Sequence, residues 1–102
     1  MSKIANTPKP PYYAVIFASV RTEGDHGYAE AAKDILELAR QQPGFLGYEG
    51  ARQELGVSVS YWSSLEAIQA WREHPEHRKV QVMEKLWYGE SRIRVCKVEK
   101  DY

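Results

Sequence analysis

The chain carries one cysteine, Cys96, in 102 residues. No intrachain disulfide can form, and no zinc site of several thiolates can come from a single copy. Long apolar runs are missing too. Nothing approaches the ~20 residues that a membrane helix needs, and Met1-Ser2-Lys3-Ile4-Ala5-Asn6 holds no apolar core of a secretory signal. Ser2 stands where myristoylation requires glycine. A reducing cytoplasm is the expected compartment. Net charge is also absent: 14 Lys and Arg balance 14 Asp and Glu. A nucleic-acid binder would want a basic excess, and a neutral surface does little to oppose self-association. No phosphate loop, nucleophile elbow or dinucleotide fingerprint occurs; Gly24-Asp25-His26-Gly27 is none of these.

What is present is a globular composition, 43% hydrophobic and 27% charged, of a size for one domain. Residues 1–11, with Pro8, Pro10 and Pro11, read as a flexible arm, and 12–102 as the folded domain. Tyr12 to Val20 is β-branched and aromatic and reads as a strand. Asp25 is placed to cap a helix in which Tyr28, Ala31, Ala32, Ile35, Leu36 and Ala39 recur at helical spacing, stopped by Pro43-Gly44. Phe45 to Gln53 and Val57 to Trp62 read as a hairpin turning at Glu54-Leu55-Gly56. Ser63 and Glu66 have capping-box spacing ahead of Leu65, Ile68 and Trp71. Pro75 interrupts this helix and opens a second segment carrying Val80, Met83 and Trp87, with His74 near its cap. Ser91 to Glu99 is the last strand. The order β-α-β-β-α-β defines an α+β, ferredoxin-like fold.

Two helices cover one face of such a sheet. The first strand is apolar on both: Tyr13, Val15 and Phe17 point one way, Ala14, Ile16, Ala18 and Val20 the other. The third strand offers Val57, Val59 and Tyr61 on one face and Trp62 with serines on the other. An uncovered apolar face of this size predicts a homodimer, sheet against sheet, forming an α+β barrel.

The chemistry-bearing residues concentrate between Tyr61 and Ser91. His74 and His77 are three apart, a chelating interval, but Pro75 separates them and no further metal-ligand pattern accompanies them, so no metal site is assigned. His77 titrates near neutrality and is the candidate proton acceptor; as a plain surface residue it would instead bond Gln81 or Glu84. Trp71 and Trp87 have core spacing. Arg94 is expected to pair with Glu49 or Glu54, Cys96 to be a buried small hydrophobe, and His26 to sit in a turn.

The run YWSSLEAIQAWREHPEHRKVQ, followed by KLWYGESRIRVCKVEKDY, resembles the antibiotic biosynthesis monooxygenase family, above all its small stand-alone bacterial members. The likeness spans Tyr12 to Tyr102 and rests on Trp71, His74 and His77 as W-x-x-H-x-x-H, on Trp87-Tyr88 and on the closing RVCKVE. It implies a dimeric α+β barrel and, in one branch, oxidation of an aromatic or phenolic small molecule by O₂ without a prosthetic group. His77 and Trp71 are then the catalytic candidates, and Trp62, His74, Tyr61 and Arg94 the substrate-contacting ones, with Trp62 and Trp71 as ring-stacking walls and Arg94 or Tyr61 holding a developing oxyanion. A second branch degrades haem, using a first-strand Asn and a His ten residues after the Trp. Here the first strand has no Asn, and Gln81 occupies the tenth place. Haem ligation by His77 is the alternative, and a non-catalytic ligand-binding dimer is a third reading.

Overall fold

The computed structural model describes residues 3–102; readings made on Met1 and Ser2 lie outside them. The strands are β1 (Tyr12–Arg21), β2 (Phe45–Arg52), β3 (Gly56–Trp62) and β4 (Tyr88–Val98). The helices are α1 (Tyr28–Ala39), α2 (Leu65–Glu73), α3 (Pro75–Val82) and α4 (Glu84–Trp87). The sheet is antiparallel, in the order β2-β3-β1-β4. This is the expected α+β, ferredoxin-like architecture: each helical connection returns the chain to the sheet one strand away, and β1 ends up in the interior.

Register divides the sheet into two faces. Tyr13 pairs with Trp62 and Lys97, Val15 with Ser60 and Val95, and Phe17 with Ser58 and Ile93. These residues look toward the helices. There Trp62, Ile68, Trp71 and Ala39 form the buried core, with Tyr13, Val15, Ile35, Leu38 and Phe45 packed around it. Trp62 is the largest side chain fully buried, and its indole N–H donates to Ser60 Oγ at 2.9 Å. Truncating such a tryptophan costs roughly 3–5 kcal/mol, so this contact outweighs any single hydrogen bond in the domain.

The opposite face carries Ala14, Ile16 and Ala18 opposite Tyr61, Val59 and Val57, as the alternation predicts. No helix covers it. Its β2 end is closed by the chain termini. Ala5 N–H donates to Glu49 Oε1 at 2.8 Å, Thr7 Oγ1 to Tyr12 Oη at 2.9 Å, and Tyr12 O–H to Asp101 Oδ2 at 2.5 Å. Gly47 makes room for the arm: a Cβ there would lie 2.9 Å from that of Ala5. Tyr12 and Ala14 are consequently buried, whereas Val57 stays 39% exposed.

Helix ends follow local chemistry, with one shift. The α2 cap is Ser64, whose Oγ accepts the Ala67 N–H at 3.0 Å, rather than Ser63. Asp25 serves α1 from two residues ahead of its Gly27 cap, accepting Gly27 and Ala29 N–H groups at 3.0 and 3.1 Å. The segment after Pro75 is broken again at Met83, giving α3 and α4 in place of one helix, and β4 begins at Tyr88 rather than Ser91.

Candidate functional site

The α2–α3 elbow brings four of the predicted site residues together. His74 has extended ψ (132°), which ends α2, and Pro75 supplies the fixed φ that starts α3. His74 Nδ1 accepts the Glu76 N–H at 3.1 Å, so it caps α3 as its position before proline predicts. His77, one turn into α3, folds back over α2. Its ring stacks on Trp71 with centroids 4.5 Å apart and planes 11° apart. Trp71 in turn lies 6.4 Å from Trp62 in a near-parallel stack, and His74 tilts against it at 5.4 Å.

Polar groups lock this elbow. His77 Nδ1 is 3.2 Å from Trp71 O, a carbonyl that also accepts the His74 backbone N–H at 3.1 Å. A carbonyl can only accept, which assigns the proton to Nδ1 and leaves the lone pair on Nε2. Gln81 Nε2 donates to Arg72 O at 3.1 Å. Both carbonyls are in the last turn of α2, where helical i, i+4 partners run out and side chains from α3 take their place. Burial lowers the pKa of His77 below the ordinary histidine value; the bond to Trp71 O offsets part of this, and the charges of Arg72 and His74 add to it. The imidazole is therefore held neutral near pH 7.

Tyr61 and Arg94 do not join this group. Tyr61 pairs with Ala14 and Arg94 with Ile16, so both belong to the uncovered sheet face, across the sheet from Trp71. Neither can hold an oxyanion on a substrate beside His77 of the same chain. Tyr61 donates its hydroxyl to Glu49 Oε2 at 3.1 Å; burial and that carboxylate push its pKa up to about 12. The expected pairing of Arg94 with Glu49 or Glu54 is also corrected. Glu49 binds Tyr61 and Ala5 instead, and β2 and β4 form opposite edges of the sheet. Cys96 is half-buried on that face rather than enclosed. Trp87 is core, and His26 occupies a turn with φ +51°.

Trp71 is part of the buried core, and two grooves open elsewhere on the surface. A groove of about 550 Å³ runs between α2 and β4, lined by Leu65, Ile68, Gln69 and Arg72 from the helix and by Ser91, Ile93 and Val95 from the strand, with Glu84 and Arg92 also bordering it. Leu65, Ile93 and Val95 are 49%, 39% and 47% exposed, so apolar surface meant for contact converges here. A smaller groove of about 260 Å³ separates α1 from α3, lined among others by Ile35, Leu38, Val80 and Met83. Neither includes Trp71 or His77. The sequence held one unread signal for the larger groove: Leu65, Ile68, Gln69 and Arg72 fall at i, i+3, i+4 and i+7, a single helical stripe.

Haem does not fit these residues. Neither groove has a His, Cys or Tyr in its lining to serve as an axial ligand.

A split-βαβ domain with one helix-covered sheet face, one largely apolar open face and a groove beside its second helix defines the α+β, ferredoxin-like class. Comparison with known proteins narrows this. The model of the antibiotic biosynthesis monooxygenase family matches residues 11–82, and the chain belongs to that family. It is 47% identical over 103 residues to the uncharacterized protein YqjZ of Bacillus subtilis, covering 98% of this chain and 90% of that one. Among solved structures it resembles SnoaB, a cofactor-independent oxygenase from Streptomyces nogalater (TM-score 0.77, 10% identity, 90% of this chain and 97% of that one). It also resembles a conserved protein from Methanosarcina mazei (TM-score 0.78, 9% identity, 87% and 94%). At such identities these two structures establish the fold. No helix among the described residues is long and apolar enough to cross a membrane.

Proposed function

We propose that this protein is a monooxygenase that uses O₂ without a prosthetic group on an electron-rich aromatic or phenolic small molecule, and that it works as a homodimer. The observation that carries the reading is the α2–β4 groove. It is the size of a small-molecule site, it has an apolar floor, and its polar groups suit an organic anion rather than a metal or haem. Family membership and the cofactor-independent oxygenase activity of the SnoaB neighbour support it. The chemistry asks little of the protein. An acidic substrate R₂CH₂ loses a proton, its anion passes one electron to O₂, and the radical pair joins as R₂CH–OO⁻. Protonation, loss of the second C–H proton and O–O cleavage give R₂C=O and water. The protein must stabilise the anion and keep bulk water from the pair.

Dimerisation is supported by the bare sheet face. Ile16, Ala18, Val57 and Val59 form a contiguous apolar patch that the arm and the C-terminal tail leave open. The direct test is an oxygen-electrode screen over hydroxyanthrones, catechols and naphthols, with product carbonyl followed by absorbance. Enzyme-dependent uptake of one O₂ per carbonyl formed is expected. Uptake no faster than autoxidation in buffer across the whole panel would refute the proposal.

A further inference from the structure

Three charged side chains border the α2–β4 groove: Arg92 belongs to β4 at the register of Ala18, and the other two come from the helical side. Arg72 comes from the last turn of α2, and Glu84 from the first position of α4. Both border the groove, yet among the described residues neither side chain forms a hydrogen bond or ion pair; the one salt bridge found joins Lys79 and Glu76 on the outside of α3. A guanidinium and a carboxylate on one apolar-floored groove that do not pair with each other are two separate anchors of opposite sign. The elbow fixes the first of them. Gln81 binds the Arg72 carbonyl and His77 the Trp71 carbonyl, which holds the end of α2 at a set angle.

From this we infer that Arg72 and Glu84 are the catalytic pair of the groove. The inference rests on the oxygenase reading above and assigns its acid–base work away from His77. The ligand is an aromatic lying between Leu65 and Ile68 on one side and Ile93 and Val95 on the other. Its acidic C–H gives its proton to the Glu84 carboxylate, and the enolate oxygen that takes up the charge is held by the Arg72 guanidinium. Electron transfer from this anion to O₂ and recombination form the C–O bond. Glu84 then returns its proton to the distal peroxide oxygen. Loss of the remaining C–H proton cleaves the O–O bond and releases water, so each substrate consumes one O₂ and no external reductant.

The test separates binding from turnover in the full-length protein. Binding of 1,8-dihydroxyanthraquinone, which cannot be oxidised in this way, is followed by tryptophan-fluorescence quenching. Turnover of 1,8-dihydroxyanthrone is followed by O₂ uptake. Arg72→Gln should weaken binding by about 10- to 100-fold, the scale of a charge-assisted hydrogen bond. Glu84→Gln should leave binding nearly unchanged and cut turnover by roughly 10²-fold or more, with partial return in Glu84→Asp. Lys79→Ala, on the exposed side of α3, should match the wild type in both. Wild-type affinity and rate in both the Arg72 and Glu84 variants, with melting curves unchanged, would overturn the assignment while leaving the oxygenase reading intact. Arg72-dependent binding with no O₂ uptake by the wild type across the whole substrate panel would instead overturn the oxygenase reading, and the proton-transfer role of Glu84 with it.

Discussion

Replacing His77 with alanine removes the contacts that hold α3 against α2. The loss has two parts. The Nδ1–H bond to Trp71 O contributes about 1 kcal/mol net, on the low side here because that carbonyl keeps the His74 N–H. The flat stack on Trp71 at 4.5 Å contributes a further ~0.5–1.5 kcal/mol. Together His77→Ala should cost about 2 kcal/mol, a fall in Tm of about 8–16 °C for a domain of this length. Thermal melts at pH 8 and one fixed protein concentration measure it. The effect should also carry a pH sign. Burial holds the folded-state pKa of His77 below the 6.5 of an unperturbed imidazole, so the unfolded chain takes up the proton first. This contribution is complete above pH 6.5, shrinks as pH falls toward the lowered folded value, and is constant below it. Wild-type stability should therefore decline more steeply than that of His77→Ala between pH 6.5 and the acid side. A Tm change under about 2 °C at pH 8, or equal slopes in the two proteins, would refute the elbow argument.

Two further outcomes follow from packing. Gly44→Ala should destabilise by about 3 kcal/mol, because φ is +86° and the new Cβ would lie 2.6 Å from that of Ala67 and 2.8 Å from Ser63 Oγ. Gly27→Ala, at φ +82° with nothing within 4 Å, should lose only the backbone part, and equal losses in denaturant melts would show that the contact with α2 counts for nothing. Ile16→Glu, which puts a charge in the middle of the uncovered sheet face, should convert a dimer into a species of 11.7 kDa in sedimentation velocity; a wild type already sedimenting at that mass would contradict the paired-sheet arrangement.

The fold was legible because alternation and helical spacing are strong here and agree with each other. Tyr13, Val15 and Phe17 against Ile16, Ala18 and Val20 already told the faces apart, and the register bears out that division. The arm was harder to read. Its attachment depends on a backbone N–H and a hydroxyl meeting Glu49 and Asp101, and hydrogen bonds across 44 and 94 residues leave no local pattern. The Arg94 pairing failed for a related reason: complementary charge says nothing about strand order, and β2 and β4 occupy the two edges.

The candidate site divides along the same line. The cluster Trp62, Trp71, His74 and His77 was visible in sequence because three of its members share one short stretch of chain. Within that cluster Trp62, Trp71 and His77 stack on one another. The groove forms where large side chains stop. On α2, Ile68 faces both regions, touching the core and lining the groove, while Trp71 lies on the inner side and Leu65, Gln69 and Arg72 on the outer. The outer stripe contains no residue that stands out alone. Its meaning comes from Ile93 and Val95, which β4 brings opposite it more than twenty residues later in the chain. An edge strand covered by no helix leaves those two side chains exposed, and the elbow built from His77 and Gln81 sets how far the end of α2 stands from them.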